Sequence, residues 1–408
     1  MENNFSFPQK ASFRSGFAWF RPRDPANKIV VGEISCSGAF LFLCLLHFFS
    51  QRPLWLDEVS ILKNIQELNY QQLFGPLNYA QAFPRVYLVV IKLVSGFFNY
   101  HVLALRIFPL ISMLLGYAIW RKIYKEVFGS TGFFLLALFS MTGGYYFSYY
   151  AGEFKPYAMD VLVVGIFSWF LMRQKAWVEE NRFARCYAVA VGLPFTLFFS
   201  YAAFLVFWMV GYNFLFLLRK RKDVRPLLAI YSTLSLLCLA FIYNFDLKHS
   251  WADQALMHYW DPYFICTQSG KCFGETVWEG VRRLSTSWFG KGKIFMQFAS
   301  FLIPFFLYSI VRYGFGSWIK ERGKIFSIAS IYGILFLELF VLGCLHKFPF
   351  TGERITLFFA PFVFYGLIKG LYDLKQMRWM YYVFGISYLV LVGGSYGDSW
   401  VRYWALYK

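Results

Sequence analysis

Apolar stretches close to the roughly 20 residues needed to cross a bilayer core recur along this chain, separated by short basic clusters. Nothing else in the sequence restricts the fold as tightly. A helix satisfies all its backbone groups within one apolar segment, so the pattern predicts an all-α polytopic membrane protein. Composition agrees: 58% of residues are hydrophobic, 23% aromatic and only 15% charged, too few charges to coat a soluble body of 408 residues. The formal charge of +18 would suit nucleic acid, but the Lys and Arg residues are parcelled out between apolar stretches instead of being gathered on one face. Membrane lipids are therefore the expected surroundings, and no nucleic-acid partner is expected.

Reading spans against charge gives about eleven transmembrane helices with the N-terminus cytoplasmic. A cytoplasmic segment, 1–28, carries Lys10, Arg14, Arg21, Arg23 and Lys28. The first helix, Ile29–Phe49, ends at Ser50-Gln51-Arg52-Pro53 without a small-x-small cleavage pattern, so an uncleaved anchor is expected. The first outer loop covers 50–100. A descending helix, His101–Trp120, reaches the basic cluster Arg121-Lys122-Ile123-Tyr124-Lys125. Parity then keeps the short stretch Arg85–Phe98, interrupted by Lys92, out of the membrane as a helix on the outer surface. Gly132–Phe147 rises, Tyr187–Leu218 holds two short helices turning near Ser200-Tyr201, and Pro226–Phe245 rises again. A long outer loop, 246–293, carries Trp251, Trp260, Trp278 and Trp288 and is expected to hold interfacial helices. Later spans are Phe295–Tyr313, Ile325–Leu345, Ile355–Leu371 and Trp379–Gly393, giving one membrane domain, 29–394, and an outer tail, 395–408.

Cys266 and Cys272 lie in the long outer loop, where an oxidising compartment would let them pair; two free thiols are the alternative. Asp57 and Glu58 open the first outer loop after Leu54-Trp55-Leu56. Adjacent carboxylates there suit a divalent metal or a general base, and equally suit the capping of a helix over Val59–Leu68. Glu153 and Lys155, beside Tyr150 and Tyr157, suit an anionic lipid headgroup or an interfacial ion pair. Arg85, Arg106 and Arg354 stand where a guanidinium is expensive, and serve either phosphate recognition or pairing with Glu153 or Glu353. Glu338 lies deep in an expected span, as an interhelical hydrogen-bonding group or part of a proton path. The five histidines, His47, His101, His249, His258 and His346, show no ligand spacing.

The order of these features resembles the GT-C superfamily of membrane glycosyltransferases, in particular its protein O-mannosyltransferase and aminoarabinose transferase branch. The residues that carry the likeness are Asp57-Glu58 in the first outer loop, Gln81-Ala82-Phe83-Pro84-Arg85-Val86-Tyr87-Leu88, Leu105-Arg106-Ile107-Phe108-Pro109, and Glu153-Phe154-Lys155-Pro156-Tyr157-Ala158-Met159-Asp160. It covers about residues 29–220 well and rests on topology and Glu353-Arg354 beyond that. Phe83-Pro84 departs from the Pro-Pro of that pattern, and nothing in these 408 residues is expected to form the long soluble C-terminal domain of some relatives.

The resemblance implies two juxtamembrane helices in the first outer loop and a polyprenyl-phosphate-linked sugar as donor. Asp57 would be the catalytic acid/base residue, Glu58 its neighbour and Glu153 the second acidic position; a divalent metal, if one takes part, is expected at Asp57 and Glu153. Arg106, Lys155 and Arg354 would answer the donor phosphate, with Arg85 and Tyr157 in the same substrate-binding region. The expectation is a glycosyltransferase at the outer face of an inner membrane, with a glycan, lipid or protein acceptor. A transporter or flippase of a lipid-linked saccharide, or an envelope-assembly scaffold, is the alternative.

Overall fold

The computed structural model describes residues 25–50, 52–289, 299–320, 326–350, 352 and 354–405, and among these residues no strand occurs. The segment up to 24, expected to be cytoplasmic, and Glu353 and the last three residues lie outside them. The chain is an all-helical bundle. Five helical segments are long and apolar enough to cross a membrane: Asn27–Phe49, Val102–Phe128, Tyr157–Glu179, Lys222–Ala252 and Leu357–Gln376. Five further apolar helices are shorter, Gly132–Gly143, Phe183–Phe198, Ala203–Leu218, Leu302–Phe315 and Ile328–Cys344.

Helix α1 (Pro25–Phe49) leads into α2 (Leu56–Glu67) and α3 (Arg85–Gly96), which are both 12 residues long. Each spans only about 18 Å, well short of a bilayer core. Together they enclose a small apolar core of their own, with Ile61, Ile65, Leu73, Phe83, Tyr87, Leu88 and Ile91 fully buried. Lys92, the charge that interrupts α3, has a structural use. Its Nζ donates to the carbonyls of Ile65 and Leu68 at the C-terminus of α2, where a cation answers the helix dipole.

The bundle continues through α4 (Val102–Phe128), α5 (Gly132–Gly143), α6 (Tyr145–Ala151), α7 (Tyr157–Glu179), α8 (Phe183–Phe195), α9 (Ala203–Leu218) and α10 (Arg225–Ile242). The rising segment expected at Gly132–Phe147 is thus broken at Gly143-Gly144. A Cβ on Gly143 would stand 2.8 Å from the Val392 carbonyl oxygen, so glycine permits that crossing. The two short helices expected between Tyr187 and Leu218 are α8 and α9, turning at Ser200.

Two boundaries differ from expectation. Helix α10 does not end near Phe245; it continues through a π-turn, Tyr243–Leu247, into α11 (Lys248–Ala252). Hydropathy stops at Phe245, but the helical backbone does not, and Asp246 is turned inward. The stretch expected as a long outer loop is largely helical over its described residues, with α12 (Gln254–Trp260) and α13 (Gly270–Thr286). After α14 (Leu302–Ser309), α15 (Gly316–Lys320), α16 (Ile328–Cys344) and α17 (Ala360–Asp373), the last helix, α18, runs from Arg378 to Ala405. The tail expected from 395 is therefore helical as far as Ala405, with Ser395 Oγ donating to the Gly143 carbonyl.

Long-range contacts sort the connecting segments between two ends of the bundle. At one end the segments 50–101, 151–156, 243–269 and 345–354 meet. Arg52 reaches Gly152, Arg85 reaches Asp246, Phe350 N donates to Tyr263 O, and Arg354 reaches Asp57. At the other end Glu33 meets Arg121 and Lys125, Arg173 meets Glu126, and Tyr313 donates to Asp373. Between the ends Trp208 Nε1 donates to Glu338 Oε1 at 2.5 Å, an interhelical bond between α9 and α16.

Candidate active site

The site forms at the first of these ends, on the first turn of α2. Glu58 Oε2 accepts from Trp55 N at 3.0 Å, which closes the helix start, and its Oε1 accepts from Phe154 N at 3.0 Å. Arg106 of α4 lies on the same carboxylate, with Nη2 3.1 Å from Oε2, while its Nη1 donates to the Arg52 carbonyl at 3.1 Å. Both side chains are fully buried. Neutralising one partner alone would strand the other charge out of water, so this pair fastens α2, α4 and the 151–156 segment together. Glu58 thereby acts as a cap. All three Arg106 nitrogens are engaged on Glu58 and the Arg52 carbonyl, leaving none to reach an anion outside the pair.

One residue earlier, Asp57 points elsewhere. Its side chain keeps 23% exposure, and its Oδ2 lies 2.6 Å from Arg354 Nη1 and 4.0 Å from Lys155 Nζ. Arg354 Nη2 also donates to the Tyr259 hydroxyl at 2.9 Å, and its guanidinium lies 5.7 Å from the Trp260 ring centre. Lys155 is buried and donates to Gln81 Oε1 at 3.1 Å. Burial lowers the Lys155 pKa below the usual amine range, while Asp57 and Glu153 pull the other way.

Glu153 faces Arg52, with Oε2 3.6 Å from Nη2. The same Nη2 donates to the Tyr149 and Gly152 carbonyls at 3.1 Å, and the guanidinium stacks 3.7 Å over the Tyr149 ring. Gly152 makes this possible. A Cβ there would stand 2.7 Å from the His47 carbonyl oxygen, so only glycine lets the segment press against the end of α1. Burial and the neighbouring Glu58 charge push the Glu153 carboxyl up to about 7, with Arg52 opposing. Tyr157 opens α7 buried, its ring edge-on to Tyr150 at 5.1 Å.

Arg85 stands apart from Asp57. Its Nε lies 3.4 Å from the Phe245 carbonyl oxygen and 3.7 Å from Asp246 Oδ1, and Asp246 also accepts from the Tyr201 hydroxyl at 2.9 Å. Beyond it opens a cavity of about 300 Å³ lined by Gln81, Arg85, His249, Ser250 and Asp253, with Pro76, Leu77 and Ala252 as its apolar wall. Gln81 therefore borders the cavity on one side and holds Lys155 on the other.

Sequence reasoning missed Arg52, Gln81, Asp246 and Tyr259. Arg52 and Gln81 lay inside quoted motifs without a role, and an arginine directly after a spanning helix was a usable signal. Asp246 and Tyr259 gave none. Cys266 and Cys272 are joined as a disulfide, with Cα atoms 5.7 Å apart, just before and within the start of α13.

The arrangement collects cations. Arg52, Arg106, Lys155 and Arg354 stand against Asp57, Glu58 and Glu153, so positive charge exceeds negative even with every carboxyl ionised. Such a cluster suits an anion. It makes a poor seat for a divalent cation: Asp57 and Glu153 each already face an arginine, and among the described residues no three His, Cys, Asp or Glu side chains gather as a ligand set. No family model, no curated protein and no solved structure matches the chain.

Proposed function

We propose that this protein is a membrane glycosyltransferase that moves a sugar from a polyprenyl-phosphate-linked donor to an acceptor at the outer face of an inner membrane. On this reading the chain crosses the membrane about eleven times, counting the shorter apolar helices and α18, and the Asp57 end faces outward. The observation that carries the proposal is the partly exposed Asp57 carboxylate held between Arg354 and Lys155, within a cluster that has surplus positive charge. The order of motifs in the first half of the chain supports it.

The chemistry follows from those groups. An acceptor hydroxyl or amine attacks the anomeric carbon and passes its proton to Asp57. The bond from that carbon to the phosphate oxygen breaks, and its electron pair leaves on the polyprenyl phosphate. Arg354 and Lys155 are placed to answer the charge that develops on the leaving phosphate, the kind of preorganised stabilisation that acts most strongly where water is scarce. Glu58 and Arg106 act behind them by fixing the first turn of α2, and Arg52 and Glu153 fix the segment that carries Lys155.

The test is transfer of radiolabelled sugar from a panel of polyprenyl-phosphate sugars in membranes, comparing wild type with Asp57→Asn at matched expression. Label reaching an acceptor in wild type alone is the expected result. Donor left intact, with label crossing vesicle bilayers equally in both proteins, would overturn the transferase reading and leave a flippase.

A further inference from the structure

The cavity bordered by Gln81 and Arg85 is used by none of the groups in that reaction. Its walls carry a carboxamide, a guanidinium, an imidazole, a hydroxyl and a carboxylate, from Gln81, Arg85, His249, Ser250 and Asp253. Pro76, Leu77 and Ala252 supply the apolar side. Its volume of about 300 Å³ is at the lower end of small-molecule sites, enough for one ring and too small for an oligosaccharide.

Its charges argue against a second phosphate seat. Arg85 is matched by Asp246 at 3.7 Å, and Asp253 adds a further carboxylate, so the lining has no surplus positive charge. Hydrogen-bonding capacity is nevertheless left over. Arg85 is only 3% exposed and its guanidinium donates from Nε alone, to the Phe245 carbonyl, so other N–H groups on it go unused. A buried donor of that kind calls for an acceptor from a bound molecule. Tyr79 and Ala80, directly before Gln81, hold left-handed backbone at φ 65° and 50°, and Gln81 Nε2 donates to the Tyr79 carbonyl at 3.1 Å.

We propose that this cavity seats a single polyhydroxylated sugar ring, with the Arg85 guanidinium, Gln81, Ser250 and Asp253 hydrogen-bonding its hydroxyls and Leu77 and Ala252 against its C–H face. The inference rests on the transferase reading and adds to it which part of the molecule grips the sugar. Gln81 ties the two parts together, because its Oε1 orients Lys155 and Lys155 lies beside Asp57. The ring belongs either to the donor or to the end of the acceptor.

The experiment uses the full chain purified into nanodiscs, with Ala252→Phe to fill the cavity and Ala252→Ser as a control of nearly native size. Equilibrium binding is measured with a polyprenyl-phosphate sugar and with bare polyprenyl phosphate. If the ring is the donor's, Ala252→Phe weakens binding of the sugar-bearing lipid by roughly tenfold or more and leaves the bare lipid unchanged, which also shows the variant to be folded. If it is the acceptor's, both lipids bind as before and the KM for acceptor rises by a similar factor. Donor binding and acceptor KM both unchanged in Ala252→Phe would overturn the sugar seat while leaving the transferase reading standing. Failure of the wild type to bind either lipid would remove the transferase reading itself.

Discussion

Glu33 and Glu58 are both carboxylates clasped by basic side chains of α4, at opposite ends of the same bundle, yet their surroundings differ. Glu33 accepts from Arg121 and Lys125, whose side chains are 41% and 47% exposed. Glu58 accepts from an Arg106 with no exposure and from two backbone amides, Trp55 N and Phe154 N. The cations of the first pair stand where water can reach them, although the Glu33 side chain is only 8% exposed. The second pair sits where water reaches neither partner, so its energy lies less in the attraction than in what removing one member leaves behind. A fixed, dry scaffold at one end is what allows Asp57, one residue away, to be held partly open between Arg354 and Lys155.

The comparison is tested most severely by Glu58→Ala. It leaves Arg106 buried without a counter-charge and strands the Phe154 amide, for an expected loss of about 3–5 kcal/mol, read as a collapse in thermal unfolding temperature or in folded yield. A variant that unfolds like wild type would mean that water reaches Arg106. Next in size is Asp57→Asn, which keeps shape and volume. Transfer is expected to fall by about a hundredfold or more, in the range for removing a general base, while the unfolding temperature stays near wild type. Equal loss of both would place Asp57 with Glu58 in the scaffold.

What was legible beforehand divides along similar lines. Helix positions follow from local hydropathy, so α1, α4 and the short α3 were readable, α3 as a helix too short to span. The pairing of acids with bases was not. Asp57 and Arg354 are 297 residues apart, and Arg52 and Gly152 are 100 apart, separations over which no sequence period operates. Asp57, Glu58, Arg106, Lys155 and Arg354 were named, but which carboxylate stays accessible and which is sealed is decided by packing against Phe154 and Arg106. Asp246 was assigned to a loop because polarity marks the end of an apolar run, whereas the π-turn at Tyr243–Leu247 keeps the backbone helical past it.

Glu153 sharpens the comparison by pH. Its carboxyl sits at about 7 in the folded protein against an ordinary 4.5, through burial first and Glu58 second. Between those values the folded chain holds a proton that the unfolded chain has released, so this group's contribution to stability is present at low pH and declines as pH rises toward 7. Glu153→Gln should flatten that decline in unfolding temperature measured from pH 4.5 to 7. An unchanged slope would show that Arg52 keeps Glu153 ionised throughout.

The smallest effect is expected at the other end. Glu33→Gln removes a charge from a pair whose cations are already half in water, which costs at most about 1 kcal/mol, or a shift of about 1–2 °C in a chain of this length. Raised salt should narrow even that difference, because exposed ion pairs are screened and buried ones are not. Transfer activity should be untouched, since no residue of the Asp57 cluster contacts Glu33. The measurement is a salt series of unfolding temperatures for Glu33→Gln beside Arg106→Met. A salt-insensitive loss at Glu33 as large as that at Arg106 would show the basic end to be as dry as the other, and the contrast between the two ends would no longer support the proposed placing of the chemistry at Asp57.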